Sequence, residues 1–316
     1  MVLIVFAVII VGSMIYVPYH YGLLTPVHNG WRCGDDYIAT IESEGVPDKY
    51  EAVCTQAGTV ETVTYVVHNA EDTSVTTEKT AQVYLPYGYS EDQQYNVLYL
   101  IHGGGDDETK WLTMVNNQNV IDNLIFYGDI EHLIIVTPTF YYPDGFCGEA
   151  DEELDWDYDQ FAYEMRNDLI PAVETEYPSF ACGDVSEENL IQTRTHRAMA
   201  GLSMGSMHTL NVGMMRCLDL FSWFGSFSGA KTDAGDISAA IHSEAFEAYA
   251  IDYLLVTNGK YDMSYEEHMN TATELEANDT KINAGENFSI VDIKNGNHSW
   301  PSWELALYDF LQIVFK

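Results

Sequence analysis

The stretch "HRAMAGLSMGSMHTL", residues 196–210, sets a serine in the frame G-x-S-x-G, from Gly201 to Gly205. A short apolar run, "RAMAGLS", leads into it, and "MGSMHTLNVGMMRC" follows with the look of a helix. Two readings are open. Ser203 is either a nucleophile lifted on a sharp strand-to-helix turn, or a polar residue where a buried strand meets a helix. The frame recurs by chance in many chains. The choice therefore depends on whether a base, an acid and an oxyanion hole stand elsewhere in a consistent order.

Outward from this point the pattern is regular. "TVETVTYVV" (59–67) and "KTAQVYLP" (79–86) are rich in β-branched residues and read as strands. "YNVLYLIHGGG" (95–105) is a continuous apolar run ending in glycines, as expected of a strand buried on both faces. "HLIIVTP" precedes a helical stretch, "DQFAYEMRNDLIPAVETEY", with apolar spacing through Phe161, Met165 and Leu169. "SWFGSFSG", "DYLLVTNG" and "FSIVDIKNG" are further strands, and "SWELALYDFLQIVF" is a closing helix. Alternating units of this kind predict an α/β fold, a mostly parallel sheet with helices on both faces. One domain over 58–316 accounts for the pattern, with 25–57 as an N-terminal extension or linker.

The composition bounds the rest. The 316 residues carry 49 acidic and 13 basic side chains, a formal charge of -36, so nucleic acid and anionic membranes are unfavourable partners. The segment Val2–Val17 is apolar and free of charge, and residues 1–24 read as a signal peptide or membrane anchor, although no Lys or Arg precedes the run. Export to the cell surface or beyond follows from that reading. Cys33, Cys54, Cys147 and Cys182 lie in polar stretches and suit two disulfides, with Cys217 left over in a helix; the alternative is free thiols. The acidic run "GEADEELDWDYDQ" (148–160) lacks the frame of a known calcium loop and reads as a solvated loop. No two cysteines form a C-x-x-C pair, so no zinc or redox motif is suggested.

Around Ser203 the remaining parts fall into place. Gly201 and Gly205 let strand and helix approach closely, and the helix N-terminus favours developing negative charge. The Met204 N–H is one expected oxyanion donor. "LIHGGGDDE" (100–108) supplies the other from Gly104, with Gly103 as the rival, while His102 braces the loop. Among ten histidines only His298, in "KNGNHSWPSW", stands between a final strand and a final helix, which makes it the expected base. Asp262, just past the strand in "LLVTNGKYDMSYEEH", is the expected acid, with Glu266 and Glu267 as rivals one turn into the next helix. The order Ser203, Asp262, His298 is that of the α/β-hydrolase fold.

The segments "GTVETVTY", "VYLPYGY", "YNVLYLIHGGGDDETKW", "HRAMAGLSMGS", "FGSFSGA" and "HSWPSWELALYDF" together resemble the feruloyl esterase and acetyl xylan esterase group of carbohydrate esterases, over about residues 54–316. That group is related to the esterase D and mycolyltransferase families. The resemblance implies an α/β-hydrolase fold, no cofactor, and hydrolysis of an ester on plant cell-wall xylan or arabinoxylan by Ser203, Asp262 and His298. Two departures stand out: Ser206 where a second glycine is usual, and Ser299 where an aspartate is common. Trp111, Tyr141, Tyr142 and Trp300 are candidate substrate contacts, either stacking on a phenolic acyl group or sugar, or packing under the loops. Feruloyl esters are favoured over acetyl esters. Acyl transfer to a sugar and non-catalytic polysaccharide binding are the alternatives. The oligomeric state is not legible.

Overall fold

The computed structural model describes residues 41–43, 45–147, 157–229 and 232–316. Among the described residues nine strands form one sheet: β1 (Ile41–Ser43), β2 (Thr59–His68), β3 (Thr76–Leu85), β4 (Asn96–Ile101), β5 (Leu133–Pro138), β6 (Arg197–Leu202), β7 (Trp223–Phe227), β8 (Tyr253–Gly259) and β9 (Phe288–Ile293). Their spatial order is β1-β9-β8-β7-β6-β4-β5-β3-β2. β4 pairs in parallel with both β5 and β6, and the parallel ladder continues through β7, β8 and β9 to β1. β2 and β3 are antiparallel additions at one edge.

The two strand classes differ as their environments require. All residues of β5, β6 and β9 are buried, because helices cover both faces of the parallel sheet. At the edge, β2 buries only alternate residues, Val63, Tyr65 and Val67. Alternation within β4 splits the core in two. Val97, Tyr99 and Ile101 join one cluster, and Leu98 and Leu100 the other.

The helices, in chain order, are α1 (Asp48–Glu51), α2 (Lys110–Thr113), α3 (Asn117–Phe126), α4 (Tyr158–Glu164), α5 (Ile170–Glu176), α6 (Glu187–Gln192), α7 (Met204–His208), α8 (Ala234–Ile241), α9 (Tyr265–Asn278) and α10 (Trp300–Leu311). The stretch expected as one amphipathic helix over 159–177 is α4 and α5 joined by a π-helical segment, Met165–Leu169. That wider turn keeps Met165 and Leu169 in the core while Asp168 accepts from His68.

Ordered structure also begins earlier than residue 58. β1 lies parallel to β9, and Tyr50 of α1 is buried with its hydroxyl donating to Asp129 at 2.7 Å. The expected signal or anchor segment lies outside the described residues, as does most of the acidic run; its last residues, Asp157–Gln160, cap and start α4. Among the described residues no helix is long and apolar enough to cross a membrane.

The disulfide expectation is corrected for the described cysteines. Cys54, Cys147, Cys182 and Cys217 are free thiols. Cys182 has Gln94 as its neighbour, whereas Cys147 lies near Lys79, Asp157 and Glu164, so these two loops hold their sulfurs apart. Cys33 lies outside the described residues.

Candidate active site

The site is built at the carboxyl ends of β4, β6, β8 and β9. β6 ends at Leu202, and Ser203 turns the chain into α7 with φ 54° and ψ -116°. A positive φ is strained for a residue with a Cβ, and it is held here by close packing. The Ser203 N–H donates to the Phe227 carbonyl at 2.8 Å. A Cβ on Gly201 would sit 2.5 Å from the Gly205 backbone, and one on Gly205 would run into the Ile101 and His102 carbonyls. Only glycine admits this crossing of strand and helix.

His298 arrives on the turn between β9 and α10. Its Nε2 lies 2.9 Å from Ser203 Oγ, and its Nδ1 lies 2.9 Å and 3.1 Å from the two Asp262 oxygens. With the carboxylate on Nδ1, that nitrogen carries the proton and Nε2 accepts from the serine hydroxyl. The edge of Trp303 packs against the imidazole at 90°, with ring centroids 5.1 Å apart, and limits its tilt.

Asp262 follows β8 and is buried. Burial by itself would raise its carboxyl. The charge and hydrogen bond of His298, with bonds from Ser264 and Ser228, outweigh that and hold it below the usual carboxylate range. The Ser264 N–H donates to it at 2.8 Å. Glu266 and Glu267 belong to α9, and the carboxylate at His298 Nδ1 is that of Asp262.

The glycine loop after β4 lies against Ser203. A Cβ on Gly103 would meet Leu202 and sit 3.4 Å from the Ser203 Cβ, and one on Gly104 would meet the Met204 sulfur. Met204 opens α7, so its N–H has no intrahelical acceptor and points outward. His102 is pinned between the Gly103 carbonyl at 2.8 Å and Thr139 Oγ1 at 2.9 Å, and it stacks on Phe140. Burial pushes its pKa down, which suits a brace.

The candidate substrate contacts separate. Tyr141 is exposed at the rim, and its hydroxyl accepts from the Gly105 N–H at 2.8 Å. Tyr142 lies beneath the same loop, under the Lys79 ammonium at 4.1 Å from the ring centre and stacked on Phe146. Trp111 and Trp300 are corrected: both are fully buried and pack edge to face with centroids 5.3 Å apart. The Trp111 indole donates to the Ile101 carbonyl at 2.9 Å, so it supports the β4 end from behind. Their nearness in sequence to the glycine loop and to His298 does not bring them to the surface.

Sequence reasoning did not single out Ser264, Trp303 or Thr139. Ser264 carried a usable signal, since D-x-S favours an Asx turn in which the aspartate accepts from the residue two positions on. Among the described residues no group of three or more His, Cys, Asp and Glu side chains is placed to hold a metal ion.

A family model described as "Putative esterase" matches residues 73–312. The chain belongs to this esterase family. An endo-1,4-beta-xylanase Y from Acetivibrio thermocellus is 36% identical over 194 residues, 61% of this chain and 16% of that protein. An endo-1,4-beta-xylanase/feruloyl esterase from Xylanibacter ruminicola is 29% identical over 75% of this chain and 29% of that protein. The chain thus spans less than a third of either curated relative. Among solved structures, a serine-to-alanine mutant of the feruloyl esterase module from Clostridium thermocellum, complexed with sinapinate, is 28% identical with a TM-score of 0.72. The match covers 89% of this chain and 96% of that one. A ferulic acid esterase from Anaeromyces mucronatus shares the fold, with a TM-score of 0.68 at 22% identity, over 88% of this chain and 98% of that one. This α/β-hydrolase fold and esterase kinship agree with the resemblance carried by the sequence motifs.

Proposed function

We propose that this esterase hydrolyses feruloyl esters on xylan or arabinoxylan through an acyl-enzyme. One observation carries the reading: the continuous hydrogen-bonded chain from Ser203 through His298 to a buried, ionised Asp262. Ser203 Oγ attacks the ester carbonyl while His298 Nε2 takes its proton, and His298 then returns that proton to the departing sugar hydroxyl. Water then attacks the acyl carbonyl as His298 takes its proton; the bond from the acyl carbon to Ser203 Oγ breaks, His298 returns the proton to Ser203 Oγ, and the acid leaves. Asp262 keeps the imidazole oriented and stabilises its charged form. The N–H groups of Met204 and Gly104, with Gly103 beside them, hold the oxyanion, each contributing about 3 kcal/mol.

The feruloyl assignment is supported by the named activity of the relatives and by the exposed Tyr141 ring beside the glycine loop. Acetyl xylan hydrolysis uses the same machinery and is the second reading. The xylan-directed relatives and the apolar N-terminal segment support action outside the cell. The deciding experiment measures ferulate and acetate released from feruloylated and acetylated arabinoxylan by the wild type and by Ser203→Ala. Ferulate release that disappears in the variant is the expected result. Acetate alone moves the assignment to a deacetylase, and release of neither acid excludes hydrolysis of these esters and leaves transfer or binding.

A further inference from the structure

A second histidine lies behind the site, on α9, and the mechanism above does not use it. His268 is buried and meets polar groups on three sides. The Gly229 N–H donates to its Nδ1 at 3.2 Å, and the Asn258 amide nitrogen lies 3.2 Å from the same atom. A backbone N–H cannot reverse its role, so Nδ1 carries the lone pair and the proton sits on Nε2. Nε2 therefore donates to Ser226 Oγ at 2.8 Å, and Ser226 donates on to Ser206 Oγ at 2.6 Å.

The two arms lead to different parts of the site. The Nε2 arm ends on Ser206, three residues past the nucleophile. The Nδ1 arm ends on the acid. Asn258 Nδ2 donates to Ser264 Oγ at 3.2 Å, and that hydroxyl lies 2.9 Å from Asp262 Oδ1 and 3.0 Å from the Ser228 carbonyl. Ser228 itself holds a φ of 53°, and its N–H donates to Thr257 at 2.8 Å. A Cβ on Gly229 would strike the Ser206 hydroxyl and come within 3.2 Å of His268 Nε2. The turn after β7, the end of β8 and the start of α9 thus meet at one imidazole.

We infer that His268 is a positioning residue for the acid arm: a neutral, single-tautomer imidazole that holds Asn258, Ser264 and the Ser228–Gly229 turn, and so fixes Asp262 against His298. The inference rests on the reading of Ser203, His298 and Asp262 as the catalytic group. Exchange of His268 for a ring without nitrogens frees the acid loop and loosens the carboxylate from His298 Nδ1. An imidazolium with a weaker carboxylate partner gives up its proton more readily.

The test uses the full chain and 4-nitrophenyl acetate, a small ester that does not depend on the polysaccharide. Ser203→Ala is run first; activity that survives it overturns the catalytic reading and not this inference alone. In His268→Phe, kcat is expected to fall on the order of 10- to 100-fold, as for a slight misplacement of reacting groups, with KM changed little. The acid limb of its kcat/KM profile moves to lower pH. His268→Asn keeps an acceptor near the Nδ1 position and retains more of the rate than His268→Gln, which keeps only the Nε2 side. Met269→Ala, buried on the same helix, lowers Tm without moving the limb. If His268→Phe does not fold, Asn258→Leu interrupts the same arm and is read the same way. An unchanged kcat, or a loss of kcat with the acid limb in its wild-type place, overturns the inference.

Discussion

Asp262 shows how much of the site depends on one charge. Its carboxylate accepts from His298 Nδ1 and from the Ser264 N–H, and it stays ionised although it is buried. An amide of the same shape has no charge to stabilise the imidazolium and can present a donor to Nδ1, which then favours the wrong tautomer. Asp262→Asn is therefore expected to lower kcat on the order of 10^3- to 10^4-fold, with substrate affinity nearly intact. Steady-state kinetics on a soluble ester measures both. A loss below about tenfold would mean that one of the helix carboxylates, Glu266 or Glu267, takes over. The sign of the pH effect also follows. A depressed carboxyl contributes stability above its unfolded pKa, and the contribution is lost as pH falls through the folded value.

At the scale of elements, the strand–turn–helix at Ser203 and the glycine loop beside it place different demands on their glycines. A Cβ at 205 meets two backbone carbonyls of the β4 end, which cannot yield without moving that strand. A Cβ at 104 meets the Met204 thioether, a flexible tip. Gly205→Ala should lower stability by about 1–3 kcal/mol and suppress activity, whereas Gly104→Ala should leave denaturant stability nearly unchanged and act on kcat alone. Equal stability losses in the two would contradict the packing argument. The same contrast explains what was legible beforehand. Strands buried on both faces read as unbroken apolar runs, and the elements carrying Ser203, Asp262 and His298 follow one another in chain order, so sequence sufficed to bring these three together. β1 has three residues, "IES", with no period to detect, and a π-helical turn at Met165–Leu169 has the same apolar spacing as an ordinary helix. Aromatic content does not reveal which way a ring points. Trp111 and Trp300 went into the core because the β4 end and α10 need large apolar partners there, while Tyr141 stayed at the rim with its hydroxyl on Gly105.

Across the whole molecule, buried titratable groups set opposing slopes of stability against pH. Burial pushes His208 down to about 3 and His268 down to about 4. Their stabilising contribution is complete above the ordinary imidazole value near 6.5 and is lost as pH falls. Glu304 acts in the other direction. It lies on α10, just after His298, and accepts from the Asn116 N–H at 2.7 Å. Asn116 in turn reaches toward Glu51 of α1, with 3.5 Å between the amide nitrogen and the carboxylate. Burial, only partly offset by the bond from Asn116 and helped by the nearby Glu51 charge, pushes the Glu304 carboxyl up to about 7. A raised carboxyl contributes stability fully below its unfolded value near 4.5, and that contribution is lost as pH rises through about 7. At neutral pH and above, the contact between α1 and α10 therefore holds two like charges in a chain that already carries a net charge of -36. Glu304→Gln keeps an oxygen for the Asn116 N–H and removes the charge. Its Tm should exceed that of the wild type by about 2–4 °C at pH 8, with no gain at pH 4.5, where the wild-type carboxyl already holds its proton. An equal gain at both pH values would assign the effect to packing and remove the like-charge contact as the cause.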